Sequence, residues 1–233
     1  MSGRREQMLQ LAAGIAFLVA AAVVALIVAN ASSGGDGGDT ELEGVAETNA
    51  HLKGIPQREL VLGDPKAPVE LVEYGDLQCP FCAGVAKDVL PPVVDNLVKK
   101  GDVKIVFRNF TIIGDESVDA GAAAVAAGKQ GRGWNFVEIF YRNQGAENGG
   151  YVTDEFLEAV AKAAGVEDLS RWNKERKAQA TVAEVEATTQ EAEDLGFSGT
   201  PTFAIKGPKT DGFEALGTPT SAGQLEEAIQ AAS

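Results

Sequence analysis

The sequence predicts an α/β domain ordered β-α-β, a helical block, then β-β-α, preceded by one N-terminal transmembrane helix. Three observations carry that prediction. Two apolar, strand-like runs at 69–74 and 103–110 flank a helix-spaced stretch. Strand signals then stop until residue 202. Two further strand-like runs and a helical pattern close the chain. At 233 residues there is room for one domain with additional segments.

Arg4 and Arg5 precede an almost unbroken apolar run from Leu11 to Ala29, with Met8 and Leu9 just before it. About 20 apolar residues in a helix match a hydrocarbon core of roughly 30 Å. The first positive residue after the run is Lys53, so the positive-inside rule puts 1–7 in the cytoplasm, 8–29 in the membrane and the remainder outside. Ala29-Asn30-Ala31 also has the form of a cleavage site, which leaves a removed signal peptide as the alternative. Either reading exports the domain. Residues 30–54 read as a flexible linker, because Gly, Ser, Asp and Thr dominate to about Glu47 without an apolar period.

The domain is expected over 55–233. Leu60-Val61-Leu62 suggests a short edge strand, set off by Gly63-Asp64-Pro65. Val-Glu-Leu-Val-Glu-Tyr over 69–74 is apolar enough for a sheet interior and ends at Gly75-Asp76. Residues 79–99 place Val85, Val89, Leu90, Val93, Val94 and Leu97 at helical spacing, with a kink or break predicted at Pro91-Pro92. Val103, Ile105 and Phe107 then alternate as a strand does. A β-α-β order implies parallel strands and a right-handed crossover.

The helical insertion is expected at about 115–196. It holds the Ala-rich stretch 122–127, an apolar face of Trp134, Phe136, Ile139 and Phe140, and an N-cap at Thr153 before Phe156, Leu157, Val160 and Ala164. Val182, Val185, Thr189, Ala192 and Leu195 mark one side of a further helix, stopped by Gly196. Strands at 202–205 and 213–216, with Gly207-Pro208 and Asp211-Gly212 between them, predict an antiparallel hairpin, and 221–231 a last helix.

The net charge of −14 argues against a nucleic-acid partner, which needs a basic face. The two cysteines decide more. They are the only ones in the chain and form Cys79-Pro80-Phe81-Cys82. A structural cross-link over so short a loop would remove little entropy from the unfolded chain. Structural zinc needs four ligands, and the sole histidine is His51. Redox chemistry remains.

The pair opens a helix directly after a strand, so Cys79 lies where unpaired N–H groups and the helix dipole favour a thiolate. Cys79 is therefore expected to be the exposed, attacked sulfur and Cys82 its buried partner. Pro80 suits the first helical turn. Glu73 shares strand parity with Val69 and Leu71. Pointing inward, it would have a raised pKa and could exchange a proton with Cys82; otherwise it is a solvated strand-end glutamate. Pro201 is either a simple turn proline or a cis proline that sets the Thr200 backbone beside the cysteines for an extended substrate.

Glu73, the Cys79-Pro80-Phe81-Cys82 motif and Phe197-Ser198-Gly199-Thr200-Pro201-Thr202-Phe203, with helices between, resemble the DsbA-type thiol:disulfide oxidoreductases. These have a thioredoxin-like fold with an inserted helical domain. The resemblance runs from about Ile55 to Ser233. Residues 143–151, Asn-Gln-Gly-Ala-Glu-Asn-Gly-Gly-Tyr, also look like the insertion of anchored Gram-positive members.

The resemblance implies catalytic Cys79 and Cys82, Glu73 as the buried acid beneath them, and Thr200-Pro201 as the cis-proline loop. Pro80, Phe81, Thr200 and Pro201 would meet substrate. It implies donation of disulfides to exported, unfolded or cysteine-bearing proteins through a mixed disulfide at Cys79. Reoxidation would come from a quinone-linked membrane oxidase of the DsbB or VKOR-like type, with no cofactor beyond the Cys79–Cys82 disulfide. Many strong oxidases of the family carry Pro-His between the cysteines where this chain has Pro-Phe. Phe81 offers no charge, so a less depressed thiolate pKa and a less oxidising pair are expected. A membrane-anchored reductase or isomerase is the alternative, and a tethered binding or chaperone module with an idle disulfide a further one.

Overall fold

The computed structural model describes residues 41–233. The predicted span at 8–29 and the linker up to residue 40 lie outside the described residues. No helix among the described residues is long and apolar enough to cross a membrane.

From residue 41 onward the linker expectation is corrected. Val45–His51 form a helix, α1, entered through Gly44 at φ 70°. Val45, Thr48 and Leu52 fall on one side of it, and Thr48 and Leu52 are buried. The Asn143 side chain accepts from Glu43 N at 2.8 Å and donates to Glu43 O at 3.1 Å. Asn49 donates to Ala163 O at 2.8 Å. The tether-like composition read to about Glu47 overlaps this helix, whose Val45 and Leu52 pack against the core.

Six strands form one sheet in the order β1-β2-β4-β3-β5-β6. They are β1 (Gln57–Arg58), β2 (Val61–Leu62), β3 (Val69–Gly75), β4 (Val103–Asn109), β5 (Thr202–Lys206) and β6 (Glu214–Gly217). β3 and β4 run parallel in the register Val69↔Val103 to Gly75↔Asn109, and every other pairing is antiparallel. The crossover between β3 and β4 carries α2 (Pro80–Asp88) and α3 (Leu90–Val93), followed by one π-helical turn at Val94–Val98. The break before Pro91-Pro92 is thus as the sequence expects. Residues 61–62 are not an edge strand: β2 pairs on both sides, and the two-residue β1 takes the edge.

The insertion consists of α4 (Asp115–Gly128), α5 (Gly133–Arg142), α6 (Asp154–Ala163), α7 (Leu169–Arg176) and α8 (Gln179–Asp194), and α9 (Ala222–Ala232) closes the domain. Thr153 caps α6 by accepting from Phe156 N at 3.2 Å. α8 ends through Gly196 at φ 78°, where Phe197 N reaches back to Ala192 O at 3.0 Å. Leu195, expected on the buried side of α8, stands at that end and is exposed.

β3 is covered on both faces, so its alternation selects a layer rather than inside against outside. Val69, Leu71 and Glu73 face the larger core, shared with α2, α3, α5 and α9. Val72 and Tyr74 face a smaller one beneath α8, with Ala192, Phe110 and Phe197.

Candidate active site

The C-terminal end of β3 aims the chain at the site. Past Gly75, Asp76 turns it: its Oδ1 accepts from Gln78 N at 2.9 Å, and its Oδ2 from Ile112 N and Ile113 N at 2.9 and 3.1 Å. The turn is thereby locked to the loop after β4. Cys79 follows as the N-cap of α2, with Pro80 in the first turn, where its missing N–H costs nothing. Gly75 admits no side chain. A Cβ there would stand 2.7 Å from the Phe107 ring, 3.1 Å from Tyr141 OH and 3.3 Å from Glu73 Oε1.

Both cysteines are free thiols. Cys82 has no exposed surface, as expected of the inner sulfur. Cys79 is more covered than expected, at 4% exposure, because Thr200 O lies 3.4 Å from its Sγ and accepts from the thiol. Phe81, between them, is 73% exposed.

The two sulfurs are electrostatically unequal. The hydrogen bond from Cys82, helped by the Thr200 side chain and the N–H groups of Cys82 and Phe81, outweighs burial and holds Cys79 down to about 6. Burial first, then the bond to Cys79 and the charge of Glu73, pushes Cys82 well above the ordinary thiol range.

Glu73 is wholly buried, and neither of its oxygens has a hydrogen-bond partner. Burial, then Glu138 and Cys79, raises it to about 8. The Thr200–Pro201 peptide is cis and leads into β5, whose Thr202 and Phe203 pair with Tyr74 and Glu73 of β3. The structure therefore gathers Glu73, Cys79, Cys82, Thr200 and Pro201 at one end of the sheet, with Pro80 and Phe81 between the sulfurs.

Sequence reasoning missed four residues around them. Tyr141 OH donates to Asp76 O at 3.3 Å. Gln144 Nε2 donates to Leu77 O at 2.6 Å and Cys79 O at 3.1 Å. Gln78 Nε2 donates to Ser117 Oγ at 2.9 Å. Glu138 is buried and raised to about 7 by that burial, against the pull of Arg142. Glu138 alone had a readable signal: it is a carboxylate on the same helical stripe as Trp134 and Tyr141.

Residues 56–231 match the protein family described as thioredoxin. The chain is 30% identical over 149 residues to the probable disulfide bond formation protein D of Bacillus cereus, a match covering 63% of this chain and 69% of that one. It is similar in fold to oxidised BdbD of Bacillus subtilis, with a TM-score of 0.65 and 23% identity over 76% of this chain and 96% of that one. For DsbA2 of Pseudomonas aeruginosa the TM-score is 0.59 and the identity 26%, over 76% and 96%. With its paired cysteines at the head of α2, the chain belongs to the thioredoxin family and is a DsbA-type thiol:disulfide oxidoreductase related to disulfide bond formation protein D.

Proposed function

We propose that the chain is an extracytoplasmic oxidase, anchored by residues 8–29, that donates the Cys79–Cys82 disulfide to exported, cysteine-bearing proteins. The inequality of the two sulfurs supports this reading most directly. A sulfur held near pKa 6 is a stable thiolate at neutral pH, and stabilising the reduced pair makes its disulfide easier to give away.

The exchange runs in two displacements. A substrate thiolate attacks Cys79 Sγ, and the Sγ–Sγ bond breaks towards Cys82. The departing Cys82 sulfur takes a proton from Glu73, whose pKa of about 8 keeps it largely protonated at neutral pH. A second substrate thiolate then attacks the substrate sulfur of the mixed disulfide and expels Cys79 as thiolate. The substrate loses two electrons and the pair gains them. Phe81 and the Thr200-Pro201 loop flank Cys79 and would receive an unfolded, apolar segment. A quinone-linked membrane oxidase of the DsbB or VKOR-like type would restore the disulfide, and no other cofactor is needed.

The test is the reduction potential of the pair, by equilibration with glutathione at pH 7. The expected value lies above about −200 mV, on the oxidising side of thioredoxin's roughly −270 mV. A value at or below thioredoxin's would make the protein a reductase fed by an electron donor.

A further inference from the structure

We infer that Gln144 is a positioning residue for Cys79: through its side-chain amide it fixes the peptide carbonyls of Leu77 and Cys79, and so sets the Cys79 sulfur in place as the leaving group of the exchange. The inference rests on Cys79 being the attacked sulfur.

One amide group reaches two carbonyls two residues apart, at 2.6 Å and 3.1 Å. The residue between them is held from the same segment. Asn148 N donates to Gln78 Oε1 at 2.8 Å, and Gln78 Nε2 returns a longer contact to Asn148 Oδ1 at 3.4 Å. Leu77, Gln78 and Cys79 are thus all tied to residues 144–148.

That segment is itself fixed. Asn143 donates to Ile139 O at 2.8 Å. A Cβ at Gly145 would stand 2.6 Å from the Tyr151 ring, so the chain lies flat against that ring. Glu116 accepts from Gly150 N at 2.9 Å and Val152 N at 3.3 Å. The Gln144 amide is therefore aimed by rigid backbone, and its orientation costs little at the moment of reaction.

Its chemistry follows from where it points. Cys79 O also accepts Ala83 N at 3.1 Å, the first hydrogen bond of α2. A donor on the same oxygen draws off the negative end of a peptide dipole in the residue that carries the thiolate. The N–H groups of Phe81 and Cys82, in the same first turn, bond the sulfur itself. A carboxylate in this place would set oxygen against two carbonyl oxygens and a negative charge beside the thiolate.

The test compares the full chain with Gln144→Met, which keeps the length but has no donor, and with Gln144→Glu. The ultraviolet absorbance of the reduced protein reports the Cys79 thiolate against pH, and thermal melts report folding. In Gln144→Met the titration midpoint should rise by about half to one pH unit, and in Gln144→Glu by more. At pH 7 the glutathione equilibrium should shift about threefold to fivefold towards the oxidised enzyme in Gln144→Met.

An unchanged midpoint in either folded variant, with only the melting temperature lowered, overturns the inference. So does loss of folding in both, which would leave Gln144 a structural clamp. A wild-type midpoint near the ordinary thiol value of about 8.5 would instead sink the reading of Cys79 beneath the proposed function, whatever the variants do.

Discussion

Glu73 has no exposed surface and no hydrogen bond to either carboxyl oxygen, so ionising it weakens the folded state. Its folded pKa of about 8 lies above the value near 4.5 of a free glutamate. The stability it permits is fully present below pH 4.5 and is lost as pH rises towards 8. Glu73→Gln removes that dependence. In urea unfolding of the reduced protein, the variant should gain on the wild type by roughly 4 kcal/mol between pH 4.5 and 8.5. Parallel profiles for the two would show that Glu73 is not buried as an acid. Strand parity with Val69 and Leu71 allowed the inward direction without excluding a solvated strand end, while the count and spacing of the cysteines were enough to foresee their chemistry. The proton's further surroundings were not legible. Gln144 reaches Cys79 O across 65 positions of sequence, and no local period encodes such a contact.

At the site one carboxylate ties several elements together. Asp76 is fully buried and accepts three backbone N–H groups, one in its own turn and two from the loop after β4. Replacing it with Ala would strand three donors at the mouth of the parallel pair. Asp76→Ala should cost about 3–5 kcal/mol in urea unfolding, and a loss under 1 kcal/mol would mean that water replaces the carboxylate. In the sequence Asp76 reads only as the residue that ends a strand, since its partners at 112–113 are brought near by the β3–β4 register. Element existence was otherwise plain wherever apolar residues recur. It failed at α7, whose only apolar residues are Leu169 and Trp172. That helix is fixed by Asp168, which accepts from Arg171 N at 2.8 Å, and by Trp172, which is buried with its Nε1 donating to Ala123 O at 2.9 Å. The buried Arg176 adds a bond to Asp154 at 2.7 Å, and none of these contacts produces a stripe. α1 escaped for a related reason, being two turns of helix attached to a Gly-rich neighbour.

At the scale of the molecule, redox state and folding are a single linked equilibrium. The folded Cys79 pKa of about 6 lies below that of a thiol in an unfolded chain, about 8.5. A depressed pKa gives stability that is present above the unfolded value and lost as pH falls through the folded one. Only the reduced protein has this thiolate, so its stability relative to the oxidised form should climb with pH. The climb should reach about 1 kcal/mol at pH 7 and about 3 kcal/mol at pH 8.5, measured from pH 5. Urea unfolding of residues 41–233 in both redox forms, at those three values, measures it. Glu138 titrates in both forms and cancels in the difference, whereas the Cys79 charge holds Glu73 higher in the reduced form and trims the climb. A difference independent of pH would mean that Cys79 is an ordinary thiol whose ionisation does not favour the reduced pair. A climb of the expected size would tie the inequality of two sulfurs to the direction of exchange, because whatever stabilises the reduced fold drives the disulfide onto the substrate.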